Sequence, residues 1–242
     1  MMPDSNTMER IVPDEINDSF SLASLQLHLE RYHFAGKNIK PGRVLDIACG
    51  VGYGSYLLAT EYSNPISEIV AVDISGESIS YARERYSNPK IKFIEHDALS
   101  FSDDMKFDSI VTLETIEHLQ NPSSFILSLY NLLDVGGVLI ASAPVTPSTD
   151  INPCHLNDFT GNSFKSLFER YPFSEKSVLH QTQHVSLKEV MNRKRSNRTA
   201  GVRKNLFQYY FSHPNILVAR AKSIITNGFS NKYMVLVLRK TG

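Results

Sequence analysis

The chain has 242 residues, 42% of them apolar, which is enough for one sizeable α/β domain with a full core. Lys+Arg and Asp+Glu number 25 each, so the net charge is zero and a broad electrostatic surface for nucleic acid is not expected. Two cysteines, Cys49 and Cys154, are too few for a disulfide framework. There is no apolar run of eighteen residues for a membrane span, and the polar MMPDSNTMERIVPDE start lacks a signal-peptide apolar region. The expected address is the cytoplasm, with no membrane partner.

In chain order, residues 1–19 read as loose. Residues 20–35 read as a helix, with Phe20, Leu25, Leu29 and Tyr32 near helical spacing, Ser19 as N-cap and Gly36 to Gly42 as its end. Strands are expected at 43–48, 68–73, 91–95, 107–113 and 137–143, and helices at 54–62, 76–86 and 122–133. Pro122 sits where a first helical turn tolerates it. Such alternation predicts a Rossmann-like, doubly wound parallel sheet with helices on both faces. Beyond it, 152–171 reads as a loop followed by a helix capped by Thr160, and 173–181 as a strand. A last, antiparallel strand is expected at 232–240. The whole chain reads as a single domain, with 182–230 as an insertion on the substrate side.

The densest chemical signal is RVLDIACGVGYG, residues 43–54. A strand runs into Gly50, Gly52 and Gly54, then into a helix. Glycines at such a turn let backbone approach a ligand closely. Asp73 ends the second strand, nineteen residues after Gly54, where a carboxylate can accept from both ribose hydroxyls. The glycine spacing is G-x-G-x-G rather than the dinucleotide G-x-G-x-x-G, and Ser55 stands where the third fingerprint glycine would be. Asp46 inside the motif would repel a pyrophosphate but suits a cationic ligand.

DIACGVGYG resembles the first motif of the class I S-adenosylmethionine-dependent methyltransferases. VDIS (72–75), with Asp73 and Ile74, is similar to their ribose-binding motif. HDAL (96–99), with Asp97 and Ala98, is similar to the motif that meets adenine. SIVTLETIEHL (109–119) and LLDVGGVLIASAP (132–144) are similar to their fourth and fifth strands. The resemblance implies S-adenosylmethionine as cofactor, held from Asp46, Gly50, Gly52, Gly54, Asp73, Ile74, Asp97, Ala98 and Glu114. His28 to Tyr32, with Glu9 to Pro13, resembles the leader of a bacterial subgroup acting in sugar and natural-product pathways. This implies that residues 1–35 close over the cofactor, with Arg31 pairing the methionine carboxylate and Tyr32 packing on it.

Methyl transfer needs an aligned acceptor and a way to remove its proton. Glu114, Glu117 and His118 stand at i, i+3 and i+4, which on a helical turn places them on one side. His155 lies in NPCHLNDFT (152–160), similar to the N-P-x-H-x-x-E-F-T stretch of the same bacterial enzymes, with Asp158 in place of the glutamate. His118, His155 and Glu117 are therefore the candidate catalytic residues, with His155 as preferred base. The E-x-x-E-H cluster with a later histidine also looks like the divalent-metal site of small-RNA 2′-O-methyltransferases, in which Glu114, Glu117, His118 and His155 would be ligands. Six cations in the twelve residues 193–204 could grip a phosphate, and the aromatic-rich 205–215 could wall a substrate pocket. The expected function is methylation of a small molecule, at oxygen of a sugar or secondary metabolite, with nitrogen second. The alternatives are a metal-assisted RNA 2′-O-methyltransferase and a non-catalytic S-adenosylmethionine-binding module.

Overall fold

The computed structural model describes residues 11–63, 66–146, 155–184 and 230–242, with the isolated positions 211, 214, 218 and 222. Its elements are α1 (Ser19–Asn38), β1 (Gly42–Ile47), α2 (Tyr53–Glu61), β2 (Ile66–Asp73), α3 (Gly76–Arg85) and β3 (Ile91–Glu95). Then come β4 (Phe107–Thr112), α4 (Pro122–Leu132), β5 (Leu133–Pro144), α5 (Gly161–Ser166), β6 (Phe173–His184) and β7 (Ser230–Lys240). The seven strands form one sheet in the order β3-β2-β1-β4-β5-β7-β6. All neighbours are parallel except β7, which runs antiparallel to both β5 and β6.

Strand periodicity decides what faces which helix layer. In β2, Val70 and Val72 join one core with Phe125, Ile126 and Leu129 of α4 and Phe164 of α5. Ile69 and Ala71 face the other, with Ala35 of α1, Leu58 of α2 and Ile79 of α3. Strands apolar on both faces read as continuous hydrophobic runs, which is the signature of a covered parallel sheet. The order turns back at β1, flanked by β2 and β4, so the crevice beyond the carboxyl ends of these strands is the natural ligand site.

Several boundaries differ from expectation. The N-cap of α1 is Asp18, not Ser19: its carboxylate accepts from the Ser21 amide at 2.9 Å. The helix passes through Gly36 to Asn38 because Gly36 packs against the Tyr62 ring rather than ending the turn. Strand β5 begins at Leu133, earlier than 137, with a register shift opposite Phe107 to Ser109. Strand β6 reaches His184 instead of stopping at 181, since β7 pairs with it along its length. The expected insertion therefore starts later, and most of it lies outside the described residues. So do the basic run 193–204, nearly all of 205–215, Glu9, Arg10, Asn152, Pro153 and Cys154. Thr160 caps α5 as expected, in a reciprocal pair with Ser163. Among the described residues no helix is long and apolar enough to cross a membrane.

Candidate active site

The tips of β1, β2 and β4, the loop after β3, helix α1 and strands β6 and β7 enclose a cleft of about 240 Å3. The first glycine turn builds one wall. Gly50 has φ +58°, and a side chain added there would meet nothing within 4 Å, so its backbone borders the open cleft. Gly52 has φ +86° and is the N-cap of α2, with Ala82 and Phe93 behind it. Gly54 serves packing: a Cβ there would fall inside the Tyr32 ring. Of the three, only Gly50 lines the cleft; the other two hold the helices that shape it. Gly54→Ala is expected to destabilise the fold by about 1–3 kcal/mol through overpacking. Thermal denaturation checks this, and the cost of Gly54→Ala should shrink when it is measured in a Tyr32→Ala background, where the clash is gone.

Asp73 ends β2 almost fully buried, at 7% exposure. One carboxylate oxygen accepts from the Gly50 amide at 2.8 Å and the other from the Ser75 amide at 2.9 Å. Both bonds fix the carboxylate before any ligand arrives. Asp97 accepts from the Leu99 amide at 2.9 Å, and with Ile74 and Ala98 it lines the same side of the cleft.

Asp46 is placed differently. It is 1% exposed and does not line the cleft. Its carboxylate accepts from Ser55 Oγ at 2.5 Å and from the Tyr32 hydroxyl at 3.2 Å. The acid thus ties α2 and α1 beneath the glycine turn, and its tie to the donor would run through that scaffold. Burial pushes its carboxyl up to about 7, against the pull of Ser55 and Tyr32 and helped by the charge of Asp73. A folded-state value above the unfolded one near 4 means that ionisation costs stability. The cost is absent below about pH 4 and grows as pH rises toward about 7. Asp46→Asn is expected to gain on the wild type in melting temperature as pH is raised from about 5 to 8. Parallel denaturation curves across that range would contradict the assignment.

Arg31 is 1% exposed yet lines the cleft. Its Nε donates to Gln181 Oε1 at 2.8 Å, and its guanidinium lies 4.3 Å from the Tyr233 ring centroid. Its Nη1 makes no hydrogen bond; Glu114 Oε1 lies 3.7 Å away. A buried guanidinium nitrogen left in this state is costly unless an anion reaches it. Glu114 has φ +53°, and Ala48 at the tip of β1 has φ +64°. Left-handed backbone at non-glycine residues costs on the order of 1–3 kcal/mol each and clusters at functional sites. At Glu114 the conformation is held by Ser142, whose Oγ accepts from its amide at 3.0 Å and donates to its carboxylate at 2.6 Å.

This strain corrects the expected helical face. Glu114 lies before the 3-10 turn Ile116–His118 rather than on it, and its carboxylate is engaged by Ser142 and Arg31. The other three expected groups do converge. Ligand-type atoms of Glu117, His118 and His155 all lie within 4.8 Å of one another. The two imidazole rings meet edge to face at 4.9 Å. The His155 loop is fastened to the Glu117 turn, because the Glu117 carbonyl accepts from the amides of Leu156 (2.9 Å) and Asn157 (3.0 Å).

Residues that the sequence did not flag complete the cleft. Tyr233 and Gln183 come from β7 and β6, and the Tyr233 hydroxyl donates to Gln183 at 3.0 Å. Gln181 and Gln183 are polar, buried and two apart on a strand, a pattern that could have marked an inward polar face. His28 lines the cleft from α1, held neutral by desolvation and by the Arg31 charge. Cys49 is buried beside the turn, its thiol pushed up by burial and by Asp46 and Asp73, so it is unreactive.

A family profile described as "Methyltransferase domain" matches residues 40–200. The chain belongs to this family of S-adenosylmethionine-dependent methyltransferases. The methyltransferase is 24% identical over 192 residues to a "probable S-adenosylmethionine-dependent methyltransferase" of Mycolicibacterium smegmatis, covering 76% of this chain and 71% of that one. It is 33% identical over 121 residues to phosphoethanolamine N-methyltransferase 1 of Zea mays, covering 47% of this chain and 24% of that protein. Among solved structures, N-methyltransferase NodS of Bradyrhizobium japonicum bound to S-adenosylhomocysteine superposes with a TM-score of 0.61. The match covers 98% of this chain and 95% of NodS at 15% identity. The [4+2]-cyclase SpnF also superposes, with a TM-score of 0.61 at 18% identity, covering 89% of this chain and 82% of that one. At these identities the superpositions speak for the fold alone.

Proposed function

We propose that this methyltransferase transfers the methyl group of S-adenosylmethionine to a small molecule, at a hydroxyl of a sugar or secondary metabolite. The observation that carries the reading is one cleft with two chemically distinct ends. At one end stands the pinned carboxylate of Asp73 beside Gly50. At the other stand Glu117, His118 and His155.

In this reading Asp73 accepts from the ribose hydroxyls, and Ile74, Asp97 and Ala98 border the adenine. Gly50 and the open Nη1 of Arg31 receive the methionine end, while Glu114 balances its ammonium. Asp46 and Tyr32 hold the floor under that end. The segment 11–35 covers the donor: Ile11, Phe20, Ser24, His28, Arg31 and Tyr32 all border the cleft. The acceptor lies against the histidines. Its oxygen lone pair forms the new C–O bond as the C–S bond breaks. The C–S bonding pair leaves on sulfur, which becomes a neutral thioether. The acceptor proton departs at the Glu117–His118–His155 end, with His155 the preferred base.

Nitrogen is the second acceptor, supported by relatives whose names specify N-methylation. The test uses methyl-labelled S-adenosylmethionine with matched hydroxyl and amine forms of sugars and aromatic metabolites, plus a short RNA. Label in hydroxyl acceptors is expected. No calorimetric binding of S-adenosylhomocysteine would overturn the donor pocket. Binding without transfer to any acceptor would favour a non-catalytic module.

A further inference from the structure

We infer that Gln181 and Tyr233, a directly opposed pair on β6 and β7, are positioning residues for the donor: together they set the Arg31 guanidinium so that it takes the carboxylate of the methionine end. The inference rests on the reading that Arg31 meets that end. It makes the antiparallel edge of the sheet part of donor selection. Residues opposite one another on neighbouring strands carry their side chains on the same face, so the β6–β7 register alone brings the two to Arg31 together.

The Gln181 amide has one workable orientation. Its Nε2 donates to the Leu27 carbonyl at 3.1 Å and to Glu30 Oε2 at 2.8 Å. That leaves Oε1 to accept from Arg31 Nε at 2.8 Å; a flipped amide would set donor against donor. The guanidinium carbon lies over the Tyr233 ring, 4.3 Å from its centroid. One contact grips the fork at its Nε edge and the other at its face, so it can neither swing nor roll. Nε is thereby used up, and Nη1 is left without a hydrogen bond in a side chain that is 1% exposed and borders the cleft. Glu114 Oε1, at 3.7 Å from Nη1, is beyond hydrogen-bond reach. Because the partner at Nε is a neutral amide, it orients the guanidinium without neutralising it, and the charge stays available to an incoming carboxylate. Two residues along β6, Gln183 makes a separate tie: its Nε2 donates to Ser24 Oγ at 2.9 Å, and its Oε1 accepts from the Tyr233 hydroxyl at 3.0 Å. Helix α1 therefore stays fastened to β6 when the Gln181 amide is removed.

The test compares two ligands by calorimetry on the full-length chain: S-adenosylhomocysteine, and 5′-methylthioadenosine, which keeps the adenosine and the sulfur but has no amino-acid end. Arg31→Met checks the underlying reading. It should cut S-adenosylhomocysteine affinity by about thirtyfold and leave methylthioadenosine within about twofold. Gln181→Met, similar in length but without the amide, should cost S-adenosylhomocysteine about tenfold with the same small effect on methylthioadenosine. Tyr233→Leu should cost it about threefold or more. In an Arg31→Met background, Gln181→Met should no longer change the ratio of the two affinities. An unchanged ratio in Arg31→Met would overturn the reading and the inference with it. A ratio that shifts in Arg31→Met but in neither Gln181→Met nor Tyr233→Leu would overturn the inference alone. Equal losses for both ligands would reduce the pair to packing and would overturn it too. Melting temperatures are measured alongside, and Tyr233→Leu carries the comparison if Gln181→Met does not fold.

Discussion

His155→Ala is expected to lower turnover by about a hundredfold or more while S-adenosylhomocysteine affinity stays within about twofold. The separation follows from where His155 sits. It is 7% exposed, packed against His118, and on a loop fastened to Glu117 rather than to the glycine turn. If the imidazole takes the acceptor proton or orients the acceptor, its removal strikes the chemical step. Steady-state rates with labelled donor, alongside calorimetry, decide the matter. Full activity would remove His155 from the reaction. Equal loss of donor affinity and rate would mean that the loop supports the whole cleft instead.

Asp73→Ala is the complementary case. It should weaken donor binding by about 2–3 kcal/mol, roughly 30- to 150-fold. Two losses combine there: the ribose hydroxyls forfeit their acceptor, and the Gly50 and Ser75 amides forfeit theirs. Asp73→Asn keeps the shape and one acceptor oxygen but turns an amide NH2, a donor, toward a backbone N–H. It should fall between wild type and alanine. Calorimetry with S-adenosylhomocysteine measures all three, and unchanged affinity in the alanine variant would contradict the ribose role.

The glycine-turn half of the cleft was legible in the sequence because it is local. Strand, glycine turn and acidic strand tip are each written within a few residues, and β-tip geometry then gathers them. The sequence pattern was less able to assign work within the motif. Gly52 and Gly54 look equivalent to Gly50 in one dimension, yet they answer to Ala82, Phe93 and Tyr32, residues from other elements. Asp46 was read as facing a cation, but contacts from Ser55 and Tyr32 seat it beneath the turn. Glu114 was read on a helical spacing that its left-handed backbone abolishes. Tyr233, Gln181 and Gln183 were missed because they reach the site through antiparallel pairing of distant strands, which leaves only a faint alternation of buried polar residues. The edge of the fold was less legible than its centre for the same reason: β7 sets the length of β6.

Ahead of α1, Asp14 reaches α3, where its carboxylate accepts from the Tyr81 hydroxyl at 2.7 Å and from Arg85 at 3.2 Å. With Ile11 on one side and Phe20 on the other bordering the cleft, that exposed contact ties the leader to α3 beside it. Ions in the medium screen an exposed pair of this kind, so the hold of the leader on α3 is expected to weaken as salt is added.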